Sequence, residues 1–182
     1  MCRHAVIDKG TLKPSAVMMV LFYNLGEYWM VLNRRSYMVR RHKGEIAFPG
    51  GVKDATDPDL LFTALRETNE EMGIEPCSLK VLGSLDNAVT SSGYIITPFV
   101  STIEYPYTYS VNRMEVEEVI EVRLIDLFRK ELQRDEVSVI DGEIVKLPTY
   151  SFGGHLVYGA TARILRDFAV LIDRAIREES SC

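Results

Sequence analysis

Residues 50–74 read Gly50-Gly51-Val52-Lys53-Asp54-Ala55-Thr56-Asp57-Pro58-Asp59-Leu60-Leu61-Phe62-Thr63-Ala64-Leu65-Arg66-Glu67-Thr68-Asn69-Glu70-Glu71-Met72-Gly73-Ile74. Leu61, Ala64, Leu65, Thr68 and Met72 recur at spacings of three and four, which predicts an α-helix with one buried face. Asp57 or Asp59 can cap its start, Pro58 suits its first turn, and Gly73 is a natural stop. The same spacings bring Glu67, Glu70 and Glu71 onto one neighbouring surface, with Arg66 four residues before Glu70 and able to pair with it. Three carboxylates crowded on two turns repel one another, and a cation has to offset that. Hard divalent ions such as Mg²⁺ or Mn²⁺ favour carboxylate and phosphate oxygens together. The Gly50-Gly51 pair lets the backbone approach a ligand or turn tightly. Taken alone, the acidic positions also describe a solvated helix face.

Upstream of this helix, residues 15–23 and 28–34 are apolar runs separated by Asn24-Leu25-Gly26-Glu27, a β-hairpin pattern. Residues 35–45 are polar and basic and read as a loop. Ile46-Ala47-Phe48 reads as a short strand stopped by Pro49-Gly50-Gly51. Downstream, residues 79–85, 94–103 and 116–124 read as strands, and 124–132 as a short helix. Residues 137–145 form the clearest hairpin pattern, because Asp141-Gly142 favours a tight turn. Ile164, Leu165, Phe168, Leu171, Ile172, Ala175 and Ile176 make the apolar stripe of a last helix over about residues 160–178. That stripe either packs on the sheet or contributes to a homodimer. No repeat, low-complexity tract or linker interrupts the chain. The expectation is one α/β domain with a mixed sheet over residues 15–178, a lead-in over 1–14 and a tail over 179–182.

Composition supports a globular chain. Of 182 residues, 47% are hydrophobic and 26% charged, which excludes a disordered tail, a collagen-like rod and a disulfide miniprotein. The apolar runs are too short for a membrane span. The three cysteines (Cys2, Cys77, Cys182) have no metal-ligand spacing, and no secretory signal stands at the start, so a reducing, cytoplasmic setting is expected. A net charge of −5 disfavours general nucleic-acid binding. Charge is nonetheless segregated: Arg34, Arg35, Arg40, Arg41 and Lys43 lie together, and Glu115, Glu117, Glu118 and Glu121 form a second acidic run. A basic segment near a carboxylate cluster suits a polyanion held beside a metal.

Residues 51–74 resemble the Nudix hydrolase signature, G-x5-E-x7-R-E-U-x-E-E-x-G-U with U aliphatic. Arg66-Glu67-Thr68-Asn69-Glu70-Glu71-Met72-Gly73-Ile74 matches its second half except at Thr68. Asp57 stands where the pattern has Glu, with eight residues instead of seven before Arg66, an insertion that fits one subgroup. Residues 31–51 resemble that subgroup's motif, L-L-T-x-R-S-x3-R-x3-G-x3-F-P-G-G, through Leu32, Arg35, Ser36, Arg40, Gly44, Phe48, Pro49, Gly50 and Gly51. Val31 and Asn33 replace its Leu and Thr. The subgroup is the coenzyme A pyrophosphatases. Further similarity lies at Gly93–Pro98, around Glu115, Val116 and Val119, and at Tyr158–Leu165, where the subgroup has Trp at the Tyr158 position.

The resemblance implies a Nudix fold, a mixed β-sheet sandwiched between helices (α/β/α). It implies a hydrolase that cuts coenzyme A or acyl-coenzyme A into 3′,5′-ADP and 4′-phosphopantetheine or its acyl form. Mg²⁺ or Mn²⁺ would be held by Glu67, Glu70 and Glu71. Glu70 is either the third ligand or the group that orients or deprotonates the attacking water. Arg66 holds a glutamate in place, and Glu115 is the acidic residue from a distant loop. Arg35 and Arg40 suit phosphate contact, with Gly44, Phe48, Gly50 and Gly51 completing the substrate-binding set. Phe48 either packs under the Gly-Gly turn or walls the substrate. The expected partner is a nucleotide-type small molecule, with no nucleic acid and no membrane. Two alternatives stand beside this reading. One is a Nudix enzyme acting on ADP-ribose, a dinucleotide or a nucleoside triphosphate. The other, a binding module without turnover, is disfavoured because all three helix glutamates are present.

Overall fold

The structure is a computed structural model and describes residues 12–39, 42–140 and 143–179. Strands β1 (Lys13–Asn24) and β2 (Glu27–Arg35) form the predicted antiparallel hairpin, closed by the two residues Leu25 and Gly26. β1 begins two residues inside the expected lead-in. Two very short strands follow, β3 (Ile46–Ala47) and β4 (Gly50–Val52), and then helix α1 (Leu60–Met72). Next come β5 (Leu79–Ser84), β6 (Ala88–Val89), β7 (Tyr94–Ile103) and β8 (Val116–Arg123). The chain ends in β9 (Gln133–Ile140), β10 (Glu143–Phe152), β11 (His155–Val157) and helix α2 (Gly159–Glu179).

The main sheet is mixed. β1 runs parallel to β7 and antiparallel to β2, and β5, β6 and β8 extend the sheet by antiparallel pairing. One edge of β1 is shared between two partners. Its Val20–Asn24 half pairs with β2, while Ser15–Val17 pairs with β4, and Met18 N–H donates to the Pro49 carbonyl between them at 2.9 Å. The Gly50-Gly51 segment is therefore a strand in its own right, where the sequence suggested only a stop.

The alternation of β1 builds both faces of the core. Met18, Val20 and Phe22 meet Ala64 and Met72 of α1, while Met19 and Leu21 share the opposite face with Ala162, Ile164, Leu165 and Phe168 of α2. The sheet is thus sandwiched between helices, as expected. The first half of α2 packs on the sheet, and its later residues Val170 and Leu171 are exposed.

α1 starts and stops where the capping residues direct. The Asp59 side chain accepts from Phe62 N–H at 2.7 Å, and Gly73 takes the left-handed conformation (φ 66°) that ends the helix. Residues 124–132 differ from the expected short helix. They form two 3-10 turns, Leu124–Phe128 and Lys130–Leu132, separated by Arg129 in extended conformation. β9, β10 and β11 form a separate three-stranded antiparallel sheet that the sequence reading did not foresee. Ile140 pairs with Glu143, so the two strands of the expected hairpin are adjacent; the Asp141-Gly142 turn itself lies outside the described residues. No helix among the described residues is long and apolar enough to cross a membrane.

Candidate active site

Two carboxylates of α1, Glu67 and Glu71, lie against the Gly50-Gly51 segment, and Glu70 faces away from it. Glu71, four residues after Glu67, points into the protein and is almost wholly enclosed. Its Oε2 accepts from Asn33 Nδ2 of β2 at 2.9 Å and from Gly50 N–H at 3.2 Å, while Arg35 approaches Oε1 at 3.3 Å. Burial pushes the Glu71 carboxyl up to about 7, against the opposing pull of Arg35, the Gly50 N–H and Asn33.

Glu67 is half-buried beside Gly51. A Cβ at position 51 would lie 2.7 Å from Glu67 Oε2, so the missing side chain is the space the carboxylate occupies. Burial raises the Glu67 carboxyl, Arg66 opposes the rise, and the charges of Glu70 and Glu115 add to it. Glu70 faces outward with about half of its side chain exposed and pairs with Arg66 at 2.9 Å.

Arg66 is the hub of this surface. Its Nε and one terminal nitrogen each bond Asp57 at 3.0 Å, and its other terminal nitrogen reaches Glu67 at 3.0 Å and Glu70 at 2.9 Å. Asp57 is enclosed and also accepts from Asp54 N–H at 3.0 Å and Thr63 Oγ1 at 2.9 Å. The Arg66 guanidinium holds the Asp57 carboxyl well below the usual carboxylate range, and Asp57 in turn stabilises the charged guanidinium. Of the two caps the sequence allowed, Asp59 therefore takes the cap and Asp57 becomes the anchor of Arg66.

This pairing makes a pH prediction. A carboxylate held below its unfolded value contributes stability that is fully present above about pH 4 and lost as pH falls further. Asp57→Asn removes that contribution. The thermal midpoint of the variant is expected to fall below that of the wild type at pH 6, with the gap narrowing steadily below pH 4. Calorimetry across pH 2–7 checks this; a gap that stays constant on acidification rejects it.

Glu115 sits at the mouth of the loop that closes the helix end. Ser110 and Asn112 N–H groups bond the carbonyls of Met72 and Glu71 at 3.0 Å each. The Glu115 carboxylate accepts from Asn112 Nδ2 at 3.1 Å, its carbonyl accepts from Ser36 N–H at 2.8 Å, and its charge is felt at Glu67. Gly44 returns the basic loop to β2 through its N–H on the Arg35 carbonyl at 3.0 Å and packs under Tyr37. Phe48 is buried in the core on the α2 side of the sheet, the packing position of its two possibilities. Arg40 lies outside the described residues.

The donor set offered here is hard oxygen: Glu67, Glu70, Glu71 and Glu115. Its chemistry fits a divalent cation such as Mg²⁺ or Mn²⁺, and the absence of a side chain at Gly51 lets one of those carboxylates, Glu67, lie against the β4 backbone. Among the described residues no three acidic, histidine or cysteine side chains converge on one point, because Arg66 holds Glu67 and Glu70 while Asn33, Gly50 and Arg35 hold Glu71. Asn33 is the participant that sequence reasoning missed. The signal was there, an amide inside an otherwise apolar strand. A groove along β8, lined by Trp29, Ile120, Arg123, Phe152 and His155, contains none of the candidate residues.

Gly51→Ala tests the close approach to Glu67. The clash falls on the free end of a flexible side chain, so the protein is expected to keep its thermal midpoint within a few degrees. Displacing the carboxylate should lower turnover by about 10–100-fold, the usual range for disturbing a ligand's support. Activity equal to wild type would show that Glu67 need not sit there.

The overall fold is shared with solved proteins. A MutT/nudix family protein from Enterococcus faecalis superposes with a TM-score of 0.57 at 17% identity, over 91% of this chain and 64% of that one. The Ap4A hydrolase of C. elegans, in a binary complex, gives 0.54 at 19% identity, over 62% and 81%. These likenesses define the fold as the Nudix α/β sandwich. The chain belongs to the NUDIX domain family, whose match spans residues 12–146. It is 35% identical over 144 residues to the uncharacterized Nudix hydrolase NudL of Photorhabdus laumondii, covering 77% of this chain and 75% of that protein. The NudL of Pectobacterium atrosepticum is 36% identical over 145 residues, with 79% and 74% covered.

Proposed function

We propose that this chain is a coenzyme A diphosphatase, cleaving coenzyme A or its acyl thioesters into 3′,5′-ADP and 4′-phosphopantetheine or its acyl form. The observation that carries the hydrolase reading is the meeting of Glu67 and Glu71 with the Gly50-Gly51 strand, each carboxylate raised by burial and hemmed by cations. The choice of coenzyme A rests on the likeness of residues 31–51 to the subgroup motif.

Glu67 and Glu71, with Glu70, would hold Mg²⁺ or Mn²⁺. When bound, such an ion neutralises diphosphate oxygens and makes water more acidic. Glu70, exposed at the surface, would orient the attacking water or take its proton. Arg66 keeps Glu67 and Glu70 apart from free rotation by its own anchorage on Asp57. Glu115 supplies a further carboxylate from the loop. Arg35 engages Glu71 through one terminal nitrogen, its Nε is enclosed, and its other terminal nitrogen would meet substrate phosphate, with Arg40 as its partner in that role. A homodimer through the exposed half of α2 is part of the same proposal, and light scattering on the eluted protein tests it.

The test of function is product identification by mass spectrometry. Coenzyme A, ADP-ribose and a nucleoside triphosphate are incubated at equal concentration with Mg²⁺ or Mn²⁺, with Glu71→Gln alongside. Appearance of 3′,5′-ADP and 4′-phosphopantetheine, lost in the variant, supports the proposal. Turnover of ADP-ribose or the triphosphate alone replaces the substrate while keeping the chemistry.

A further inference from the structure

On β2 the side chains of Val31, Asn33 and Arg35 face α1, whereas Met30 and Leu32 face the other core. Asn33 lies between these apolar neighbours with none of its surface exposed. An apolar residue of similar size would pack there at no polar cost. The amide is instead buried with Oδ1 unpartnered, and its Nδ2 is committed to Glu71 at 2.9 Å. Because an ionised carboxylate only accepts hydrogen bonds, the nitrogen must be the end that faces it. Burying an unsatisfied amide oxygen is unfavourable, so the position carries a cost that its bond to Glu71 alone accounts for.

The three donors at Glu71 come from two elements. Asn33 and Arg35 reach it from one strand, two residues apart on the same face, and Gly50 N–H reaches it from β4. Asn33 and Gly50 share Oε2 while Arg35 takes Oε1, so the plane and rotamer of the carboxylate are fixed from both sides. Arg35 is partly exposed and available to other anions; Asn33 is fully enclosed. Of the two side chains, Asn33 is therefore the one whose grip a substrate cannot divert.

We propose that Asn33 is a positioning residue that sets the affinity of the site for its divalent cation by holding Glu71 in its working orientation, without touching substrate. This rests on the reading of Glu71 as a metal ligand.

The experiment measures Mn²⁺ binding to the full chain, without substrate, by counting free Mn²⁺ in electron paramagnetic resonance. Wild type, Asn33→Leu, Asn33→Thr and Glu71→Gln are compared, with thermal midpoints recorded for each. Leu keeps the branched outline with bulkier methyl ends and removes the donor. Thr carries its hydroxyl one bond nearer the backbone and falls short of Glu71; it carries the comparison if the Leu variant does not fold. The Mn²⁺ dissociation constant is expected to rise about 10–100-fold in both Asn33 variants. At saturating Mn²⁺, kcat should recover while KM for coenzyme A stays at the wild-type value, a pattern that mere loosening of the core would not produce. Wild-type Mn²⁺ affinity in both Asn33 variants, with affinity lost in Glu71→Gln, overturns the role of Asn33. Unchanged affinity in Glu71→Gln overturns the assignment of Glu71 itself.

Discussion

Glu71→Gln is expected to lower kcat on the order of 10³-fold, about 4 kcal/mol of transition-state stabilisation, while the thermal midpoint moves by only a few degrees. The amide keeps the shape of the side chain and can still accept from Asn33 or the Gly50 N–H. It loses the charge on which a divalent cation depends. Little stability is lost because ionised Glu71 is not a stabilising charge. Burial raises its carboxyl to about 7, so folding disfavours the ionised form, and a neutral replacement is spared that cost. Steady-state hydrolysis of coenzyme A and a thermal melt on the same preparation measure both. Turnover within tenfold of wild type would remove Glu71 from the chemistry.

Gly50→Ala is expected to act in the opposite way, on the fold. A Cβ at position 50 would stand 2.6 Å from Val17 Cα and closer still to the Ala16 carbonyl oxygen. Both belong to the backbone of the central strand and have no rotamer to retreat to. The position also has φ 154°, which L side chains rarely adopt. Overpacking of this kind costs about 3 kcal/mol, and at that cost a chain of this length loses roughly 6–12 °C of thermal midpoint. The adjacent Gly51→Ala meets the end of a side chain instead, so neighbouring glycines should separate cleanly into one that protects the fold and one that protects activity. Equal melts for Gly50→Ala and wild type would contradict the division of the β1 edge.

How far the residues alone reached follows from the range of each interaction. Helix α1, a cap at Asp57 or Asp59 and its Gly73 stop were all predictable, because each depends on neighbours within one or two turns. The hairpin of β1 and β2 was predictable for the same reason. The insertion of β4 against Ser15–Val17 was not, since its Cα partners, such as Ala16 and Gly51, are distant along the chain and no local pattern joins them. The three-stranded sheet of β9, β10 and β11 was missed likewise: its central hairpin was visible, but not its detachment from the main sheet. In the site, Arg66, Glu67, Glu70 and Glu71 stand out through helical spacing. Asp57 stands out as a possible cap and as the occupant of the signature's first acidic position, but nothing in a separation of nine residues announces its bidentate pair with Arg66. Asn33 was passed over as a departure from a motif, although its polarity inside a buried strand was the clue.

The divided edge of β1 has a consequence for how the protein breathes. The Gly50 amide is tied to a carboxylate in the core and its strand to the most enclosed part of the sheet, so opening there means dismantling the domain. In native-state hydrogen exchange, the amides of Met18 and Gly50 should be released only with global unfolding. Those of β9 and the start of β10, where Val137, Val139 and Ile144 are exposed, should exchange through local opening long before. The proposed active site would thereby lie in the slowest-exchanging unit of the molecule, with fluctuation left to the outlying sheet.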